Sequence, residues 1–352
     1  MTDELADYDY TLPEDRIARH PAERRDAARL MHVDRDSGRI SHHAVCDLPG
    51  LLRPNDRLIL NDTRVLPARL FGVRAATGGR WEGLYLETDA GGEWRLLAST
   101  RGKVREGEVI DIHPAHDTSS HDRLHLRLIS RDDGGVWTMK PVVACDVLAT
   151  LARFGTLPLP PYMDRGLADR NDFERYQTVY AEHPGSVAAP TAGLHFTPEL
   201  LKRCAAVGIS HSFVTLHVGI GTFRPISVSR LDDHKMHSEW CDVSAQTAAA
   251  LTATRAAGGR VVGVGTTSTR TLETAARVGF GQPWRGSTDI FIRPPYEFQA
   301  VDVQLTNFHL PRSSLLVLVS AFAGRELIRQ AYDEAIRDGY RFYSYGDAML
   351  IT

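Results

Sequence analysis

The feature that most limits the fold of this chain is a series of short apolar segments between residues 68 and 140. Six segments have the length and composition of β-strands: Leu70–Arg74, Gly83–Leu86, Trp94–Leu97, Val109–Ile112, Leu124–Ile129 and Val136–Met139. Glycine-rich turn signals separate them, among them Thr77-Gly78-Gly79 and Asp89-Ala90-Gly91-Gly92. The strands recur roughly every ten residues without a helical pattern between them, which predicts a small antiparallel β-barrel.

The rest of the chain alternates between strand and helix patterns. The predicted strands are Arg57–Leu60, Ile209–Val218, Arg260–Gly265 and Asp289–Ile292, and the predicted helices include Ser268–Arg277 and Gly324–Asp338. Such alternation is typical of an α/β layer packed on a sheet. The predicted fold is therefore a mixed α/β (α+β) main domain formed by residues 1–66 and 150–352, with residues 67–149 inserted as the barrel domain.

Charge and cysteine content limit the classes of function. The chain has 352 residues with 41 basic and 44 acidic side chains, so its formal net charge is −3. A protein that coats nucleic acid non-specifically should be clearly basic, and any RNA contact must therefore depend on a local patch. The four cysteines lie far apart in the sequence, which excludes a zinc knuckle or a paired redox motif and fits a reducing compartment.

Targeting signals are also missing from the sequence. The first ten residues have no apolar core of a signal peptide,. The longest largely apolar run, Leu315–Ala323, is too short to span a bilayer,. We therefore expect a cytoplasmic protein without a membrane segment.

Polar clusters follow the predicted strands, in loops where rigid scaffolds usually display functional groups. Asn61, Asp62 and Arg64 come directly after the strand that ends at Leu60. A carboxylate and a guanidinium at a strand end favour ligand binding. An Asx-turn with a local ion pair would explain the same residues, so both interpretations stay open here.

Small residues dominate a second cluster, residues 185–196. Thr191 and Gly193 belong to it, and His195 lies near its end. Small side chains let a ligand approach backbone N–H groups, and a histidine beside them offers an acid, a base or a hydrogen-bond donor. The alternative is a tight connection whose histidine satisfies a buried carbonyl.

Two glycines carry the chain out of the predicted strand that contains His217. Gly219 and Gly221 would let a flat ring lie against bare backbone, with Phe223 beside it. The segment is not a dinucleotide-binding fingerprint, because no third glycine follows at the required place. A strained turn is the alternative.

His234 and His237 precede Glu239 in a further polar segment. Their spacing of three residues could place both on one helical face as metal ligands. The chain has no His-Glu-x-x-His core and no cysteines nearby, so we predict no metal site. We interpret the segment as a polar wall around a substrate, with a solvated charged loop as the alternative.

A run of hydroxyl-bearing residues follows the predicted strand that begins at Arg260. Thr266, Thr267 and Ser268 belong to it, and Arg270 comes just after. Hydroxyls at a helix N-terminus can satisfy its free N–H groups, which explains part of the run. The complete run and its arginine exceed what a cap needs, and the same geometry binds a carboxylate or phosphate. We predict ligand binding here.

Three further clusters lie towards the C-terminus. Asp289 opens a predicted strand, Asn307 and His309 lie in a predicted turn, and Tyr345 and Asp347 lie close to the end. A lone histidine is more often structural than catalytic. Chain termini usually fray unless they are docked, so an aromatic and acidic terminal segment favours an ordered role.

Together, these clusters and their neighbours resemble the S-adenosylmethionine:tRNA ribosyltransferase-isomerase family. The matching segments are LNDTRV (60–65), YQTVYAEHPGSVAAPTAGLHFT (176–197), VTLHVGIGTFRP (214–225), HKMHSE (234–239), VGTTSTRTLE (264–273), TNFHLP (306–311), SAFAGR (320–325) and YGDAML (345–350). The resemblance implies a larger α/β domain that carries a small β-barrel. It also implies transfer and isomerisation of the ribosyl group of S-adenosylmethionine onto 7-aminomethyl-7-deazaguanine (preQ1) in tRNA, with epoxyqueuosine, adenine and methionine as products.

That reaction makes three chemical demands. The sulfonium acidifies the adjacent ribose carbon, so a base must be positioned there, and His195, His217 and Glu239 are the candidates by type. The departure of adenine would be helped by an acid, for which Asp62 or Asp289 is suited. The aminomethyl group of the deazaguanine must be neutral to attack, which requires another proton acceptor.

Other side chains are predicted to bind the substrates. Arg270 and the hydroxyl run before it suit the methionyl carboxylate, and the ring of Phe223 or Tyr345 could meet the cationic sulfur. The remaining residues that we predict to bind substrate are Asn61, Arg64, Thr191, Gly193, Gly219, Gly221, His234, His237, Asn307, His309 and Asp347.

The resemblance implies a tRNA with a GUN-type anticodon as partner. Its target base lies in a single-stranded loop, so stacking and contacts to base edges can specify it without opening a duplex. The residues predicted to contact phosphates are Arg101, Lys103 and Arg105 of the barrel, with Arg24, Arg25 and Arg29. S-adenosylmethionine is a consumed substrate, so we expect no cofactor and no metal, and we expect the chain to be a monomer.

Two other classes of function are compatible with parts of the sequence. A conventional methyltransferase also uses S-adenosylmethionine, and Val262-Gly263-Val264-Gly265 resembles its glycine loop, although the segment has few glycines and comes late in the chain. A non-catalytic RNA-binding module would need a basic surface and aromatic stacking motifs, which the sequence does not show. Reaction products distinguish the three classes, because free adenine indicates ribosyl transfer and S-adenosylhomocysteine indicates methylation.

Overall fold

A computed structural model describes residues 4–117, 119–132, 134–163, 166–219, 221 and 226–352. Its strands are β1 (Arg29–Val33), β2 (Ile40–Ala44), β3 (Arg57–Asn61), β4 (Thr63–Val65), β5 (Arg69–Arg74), β6 (Arg80–Thr88), β7 (Trp94–Thr100), β8 (Val109–His113), β9 (Leu124–Arg131), β10 (Val136–Pro141), β11 (His183–Ser186), β12 (Ser210–Leu216), β13 (Glu239–Val243), β14 (Val261–Val264), β15 (Trp284–Thr288), β16 (Val303–Asn307) and β17 (Ala348–Ile351). Its α-helices are α1 (Leu48–Leu51), α2 (Val147–Phe154), α3 (Arg170–Arg175), α4 (Pro198–Ala206), α5 (Ala245–Ala256), α6 (Thr266–Ala276), α7 (Ser314–Ala323) and α8 (Arg325–Arg337).

Strands β5 to β10 form a closed barrel in the order β10-β7-β6-β5-β8-β9. All pairings are antiparallel. Buried and exposed residues alternate along β9, where Leu124, Leu126 and Leu128 face the interior, as expected when one face of each strand fills a small barrel. The predicted antiparallel barrel is confirmed. Its strands lie between residues 69 and 141, and the domain bounds 67–149 stay a prediction.

The main sheet has nine strands in the order β15-β13-β12-β3-β14-β16-β17-β1-β2. Strands β12, β3, β14 and β16 are mutually parallel, so their carboxyl ends lie together. Strands β13 and β17 are antiparallel to their neighbours β12 and β16, and therefore begin where those neighbours end. We call this side of the sheet the carboxyl edge. The mixed α/β main domain is confirmed.

Apolar side chains cover both faces of the central strands. Ile59 and Val261 belong to one large core cluster, whereas Leu58, Leu60 and Val262 belong to a second cluster on the other face. Strands that are buried on both sides have continuous apolar sequences instead of alternating ones. Within the described ranges, every helix is too short or too polar to cross a lipid bilayer.

Two predicted elements differ from the structure. The predicted strand Asp289–Ile292 is wrong, because β15 ends at Thr288 and the residues that follow pair with no strand in the described part of the chain. Ile290 and Ile292 are buried in the main core, so their alternation reflects the packing of a loop. Helix α6 begins at Thr266, two residues before its predicted start, because Gly265 occupies the N-cap position with φ of 86°.

Candidate functional site

The carboxyl edge carries a pocket beside the ends of β14 and β16. Its empty volume is about 750 Å³, including its open mouth. The pocket, called here the asparagine pocket, is lined by Tyr162, Tyr176, Ala188, Ala189, Pro190, Thr191, Ala192, Val218, Gly265, Thr266, Thr267, Thr306, Asn307, Phe308, His309, Leu310, Ser313, Leu315, Tyr343 and Ser344. Aromatic and small apolar side chains form most of this wall, and a few hydroxyl and amide groups interrupt it, as in many small-molecule sites.

A second pocket of about 950 Å³ lies beside it. This arginine pocket is lined by Gly221, Ser227, Val228, Asp233, His234, Lys235, Met236, His237, Glu239, Arg270, Ser314 and Leu315. Leu315 lines both pockets, so together they form one cleft. The structure therefore brings together the predicted residues Thr191, Thr266, Thr267, Asn307 and His309 on one side, and Gly221, His234, His237, Glu239 and Arg270 on the other.

The N-terminus of α6 opens into the asparagine pocket. Gly265 is its N-cap and has no side chain to cap the helix, and Thr266 and Thr267 line the pocket. The hydroxyl of Ser268 donates instead to the Val264 carbonyl at 2.8 Å, and Ser268 is fully buried. Helix N-termini attract anions and electron-rich groups through their free N–H groups, so this end of the cleft favours such a group.

A buried ion pair forms the floor of the arginine pocket. Glu239 Oε1 accepts the Gly219 N–H at 2.8 Å, and Glu239 Oε2 accepts from Arg270 Nη1. Arg270 Nε donates to the Ile290 carbonyl at 3.4 Å. Arg270 Nη2 is buried and has no hydrogen-bond partner among the described residues. Because an unpaired buried donor on a charged group is costly, this atom is suited to an anionic ligand.

Asn61 joins the end of β3 to the end of β12 and to α6. Its Oδ1 accepts from the N–H groups of Thr63 and Leu216, both at 3.1 Å. Its Nδ2 donates to the Leu216 carbonyl at 3.0 Å and to Thr267 Oγ1 at 3.2 Å. Asn61 is fully buried, so within the described residues it holds the walls of the cleft and does not line it.

His217 directly precedes Val218, which lines the asparagine pocket. Its Nδ1 is 2.8 Å from Thr63 Oγ1, and its ring stacks on Trp240 with centroids 5.0 Å apart. A Cβ atom at Gly185 would lie 2.6 Å from the His217 ring, so only glycine fits there. Burial lowers the pKa of His217, and nearby His183 lowers it further, which keeps the imidazole neutral.

Two other histidines are buried and neutral. His195 Nε2 is 3.1 Å from Asn307 Nδ2, and burial lowers its pKa to about 4. His309 lines the asparagine pocket, its Nε2 is 2.8 Å from Thr306 Oγ1, and burial lowers its pKa to about 3. His195 is not among the described residues that line the two pockets. Its contact with the cleft is the hydrogen bond with Asn307, which lines the asparagine pocket.

The lowered pKa values of these two histidines predict that acid lowers the stability of the fold. Their folded-state pKa values lie below the ordinary value of 6.5, so the unfolded chain binds more protons between about pH 4 and 6.5 and stability falls as the pH falls through that range. Each histidine should contribute a slope of up to about 1.4 kcal/mol per pH unit. Urea unfolding at several pH values measures the slope. His309→Gln, which does not titrate, should reduce it, and an unchanged slope in this variant would contradict the assignment.

Other predicted site residues lie outside the cleft. Asp62 is buried beside Thr215, whose hydroxyl donates to it at 2.7 Å, and burial raises its pKa. Asp289 is exposed beyond the end of β15. Arg64 is exposed and donates to the Ala181 carbonyl at 3.0 Å. Gly193 packs under Tyr180, where a Cβ atom would lie 2.3 Å from the phenol oxygen. None of these residues lines either pocket as far as the structure describes the chain.

The C-terminal cluster has a structural position. Asp347 Oδ1 accepts the Arg29 N–H at 2.9 Å and its Oδ2 accepts the Arg341 N–H at 2.8 Å, so the carboxylate fixes the turn before β17. Tyr345 is buried, with its ring edge-on to Tyr176 at 5.9 Å. Phe223 lies outside the described residues, so its predicted contact with sulfur stays a prediction.

The predicted basic residues fall into two groups. Arg101, Lys103 and Arg105 are exposed on a barrel loop, and the Arg74 guanidinium fixes this loop by donating to the carbonyls of Arg101 and Lys103 at 3.0 and 2.9 Å. Arg24 is exposed beside Asp26. In contrast, the guanidinium groups of Arg25 and Arg29 donate to backbone carbonyls of the protein itself. Arg25 Nη1 donates to the Leu194 carbonyl at 3.1 Å, and Arg29 Nη1 donates to the Asp338 carbonyl at 2.8 Å.

Sequence reasoning missed several residues of the asparagine pocket. Tyr162 stacks on Tyr343 with ring centroids 4.4 Å apart, and Tyr343 has a left-handed backbone with φ of 72°. Bulky residues rarely adopt that conformation, and it is often associated with functional sites. The sequence signal was the Tyr343-Ser344-Tyr345 run, but nothing local links it to Tyr162, because their contact joins residues 181 positions apart.

Comparisons with known proteins show which family this chain is similar to. A sequence profile described as a queuosine biosynthesis protein matches residues 5–351. The chain is 49% identical to the S-adenosylmethionine:tRNA ribosyltransferase-isomerase of Thermosynechococcus vestitus, over 98% of this chain and 94% of that protein. It is 51% identical to the protein of the same name from Pelobacter propionicus, over 99% of both chains. The solved structure of an S-adenosylmethionine tRNA ribosyltransferase from Thermotoga maritima is 37% identical, covers 98% of this chain and all of that one, and has a TM-score of 0.56.

Proposed function

The chain belongs to the queuosine biosynthesis protein family, and we propose that it is an S-adenosylmethionine:tRNA ribosyltransferase-isomerase. It transfers the ribosyl group of S-adenosylmethionine to preQ1 at the wobble position of tRNA and isomerises that group. The products are epoxyqueuosine in the tRNA, free adenine and free methionine. Identity of about half over the full length of relatives with this name supports the assignment.

The observation that carries the proposal for this chain is the cleft at the carboxyl edge. Ligands of open α/β sheets bind outside the carboxyl ends of the strands. Here the ends of β12, β14 and β16 and the start of β13 lie around two adjoining pockets. Aromatic and small apolar side chains form most of the lining of one pocket, and the other has a buried guanidinium. A nucleoside joined to an amino acid has these two chemical halves.

We assign the two halves of S-adenosylmethionine accordingly. Adenine fits the asparagine pocket, where Tyr343 and Val218 offer apolar walls and the α6 N-terminus faces its ring nitrogens. The methionyl carboxylate accepts from Arg270 Nη2 in the arginine pocket, a charge-assisted contact. The ribose then crosses the shared wall at Leu315, where it is open to an incoming RNA base.

The three predicted bases differ in their access to this ribose. Glu239 lines the arginine pocket, His217 precedes the wall residue Val218, and His195 contacts Asn307 behind the wall. The assignment of the base that removes the proton beside the sulfonium stays a prediction for these three residues. Neutral imidazoles are chemically able to accept that proton, and their lowered pKa values keep His195 and His217 neutral.

Product analysis tests the proposed reaction. The purified chain is incubated with S-adenosylmethionine and an anticodon stem-loop that carries preQ1, and the products are identified by mass spectrometry. Free adenine, free methionine and a heavier stem-loop are expected. S-adenosylhomocysteine would indicate a methyltransferase instead, and recovery of unchanged substrates would indicate a binding module. A stem-loop with guanine in place of preQ1 is the matched control and should give no product.

The exposed barrel loop predicts a salt-sensitive contact with tRNA. Replacing Arg101, Lys103 and Arg105 by alanine should weaken tRNA binding. The slope of log binding constant against log salt concentration should become shallower by about 0.7 to 0.9 for each phosphate that is no longer neutralised. Binding of S-adenosylmethionine should not change. Filter binding at several salt concentrations measures both slopes. Arg95→Ala is the control, because this barrel arginine is paired with Glu87 at 2.5 Å, and an equal weakening in both variants would reject the loop as the binding surface.

We further propose that the enzyme acts in the cytoplasm as a monomer on tRNAs with GUN-type anticodons. It should need neither a metal nor a cofactor, since S-adenosylmethionine itself supplies the group that is transferred. We expect full turnover after treatment with a chelator. We also expect sedimentation to show one species with the mass of a monomer. A larger species or loss of turnover with the chelator would overturn the respective point.

A further inference from the structure

A chain of three side chains leads from the protein interior to the asparagine pocket. Thr191 Oγ1 donates to Asn307 Oδ1 at 2.9 Å, and Asn307 Nδ2 is 3.1 Å from His195 Nε2. Asn307 and His195 are buried, and Thr191 and Asn307 both line the pocket. The direction of each hydrogen bond in this chain decides what Thr191 can offer to a ligand.

The buried end of the chain fixes that direction. Asn307 Nδ2 donates to the Asp347 carbonyl at 3.5 Å, and a carbonyl oxygen can only accept. The amide nitrogen therefore points to this side, and His195 Nε2, 3.1 Å away, accepts from it. A backbone hydrogen bond with Arg25 partly offsets the lowering of the His195 pKa, as expected when the other ring nitrogen carries the proton.

The orientation of the amide controls Thr191 in turn. With Nδ2 directed to His195, Asn307 Oδ1 must accept, and it takes the hydroxyl proton of Thr191. The described residues include no donor to Thr191 Oγ1. Thr191 lines the pocket, and a hydroxyl whose proton is already committed can only accept from a ligand.

We infer that Thr191 Oγ1 is the hydrogen-bond acceptor that recognises the exocyclic amino group of adenine, and that Asn307 and His195 are positioning residues that fix its polarity. The inference rests on the proposed function. An amino group is favoured over the methionyl ammonium because the described lining of this pocket contains no carboxylate. The same acceptor would repel a purine with a carbonyl oxygen at that position.

The test compares two ligands, S-adenosylmethionine and its 6-oxo analogue S-inosylmethionine. The wild-type chain should bind the amino form about 10- to 100-fold more tightly, because the analogue places two acceptors against each other. Isothermal calorimetry gives both dissociation constants. Thr191→Val keeps the side-chain shape but removes the acceptor, so the ratio should fall to a few-fold, while Thr191→Ser should retain it.

A second variant tests the positioning residues. Asn307→Leu removes the acceptor of the Thr191 proton, so Thr191 becomes able to donate and the ratio should fall as in Thr191→Val. Because Asn307 is buried, the melting temperature of this variant is measured as well. If the variant does not fold, the comparison of Thr191→Val with Thr191→Ser decides the outcome. An unchanged ratio in Thr191→Val would overturn the inference and leave the proposed function intact. Failure of the wild-type chain to bind S-adenosylmethionine at all would overturn the proposed function itself.

Discussion

Replacing Arg270 by alanine is expected to lower kcat/KM for S-adenosylmethionine by about 10²- to 10³-fold, since truncating one partner of a buried charged contact costs roughly 2–5 kcal/mol. The same change should lower the free energy of unfolding by about 3–5 kcal/mol, because it removes the guanidinium that compensates the buried charge of Glu239. Arg270 and Glu239 are both buried and directly paired. Steady-state kinetics and urea unfolding measure the two effects.

A double variant separates binding from folding. Arg270→Met with Glu239→Gln removes both charges, while the glutamine carbonyl can still accept the Gly219 N–H that Glu239 Oε1 accepts at 2.8 Å. Replacing both members of a buried ion pair is often neutral for stability. We therefore expect this variant to regain most of the stability that Arg270→Ala removes, but not the affinity for S-adenosylmethionine. Wild-type affinity in a well-folded double variant would show that Arg270 Nη2 does not bind the methionyl carboxylate.

The convergence of the cleft was predictable from the sequence because it follows from strand direction. The predicted strands Arg57–Leu60 and Arg260–Gly265 lead to Asn61 and Thr266, and parallel strands end at one edge of a sheet,. The strand that ends at Asn307 was not predicted. The barrel was predictable for a similar reason, since its strands alternate with turns at short range. Both predictions depend on patterns within a few residues.

Side-chain direction was not predictable to the same degree. Asn61 and Asp62 are adjacent in sequence, but neighbouring residues of an extended chain point to opposite sides, and Asp62 contacts Thr215 away from the cleft. Ser268 lies in the run that lines the pocket, yet its hydroxyl turns back to the Val264 carbonyl. The start of α6 at Thr266 decides this direction, and the predicted start at Ser268 was two residues too late.

Glu273 provides the second large effect that we expect, because its contacts hold two walls of the asparagine pocket in their relative positions. Its Oε1 accepts the N–H groups of Ala300 and Val301 at 3.0 and 3.1 Å. Its Oε2 accepts the Gln299 N–H at 2.9 Å and the Tyr296 hydroxyl at 3.1 Å. The carboxylate is fully buried and thus ties α6, which carries Thr266 to Arg270, to the segment that leads into β16.

Replacing Glu273 by glutamine should lower the free energy of unfolding by about 3 kcal/mol or more. Glutamine keeps the shape of the glutamate side chain, but its NH₂ group cannot accept and must now face at least one backbone N–H donor. Each buried group that is left without a partner costs about 1–3 kcal/mol. Tyr296→Phe is the matched control, because it removes one partner and leaves the backbone bonds, at a cost of about 1 kcal/mol. Urea unfolding compares the two variants, and equal decreases would contradict the role of the backbone bonds. Because α6 and β16 carry the two walls of the asparagine pocket, Glu273→Gln should also weaken S-adenosylmethionine binding under conditions where the variant is still folded, whereas Tyr296→Phe should not.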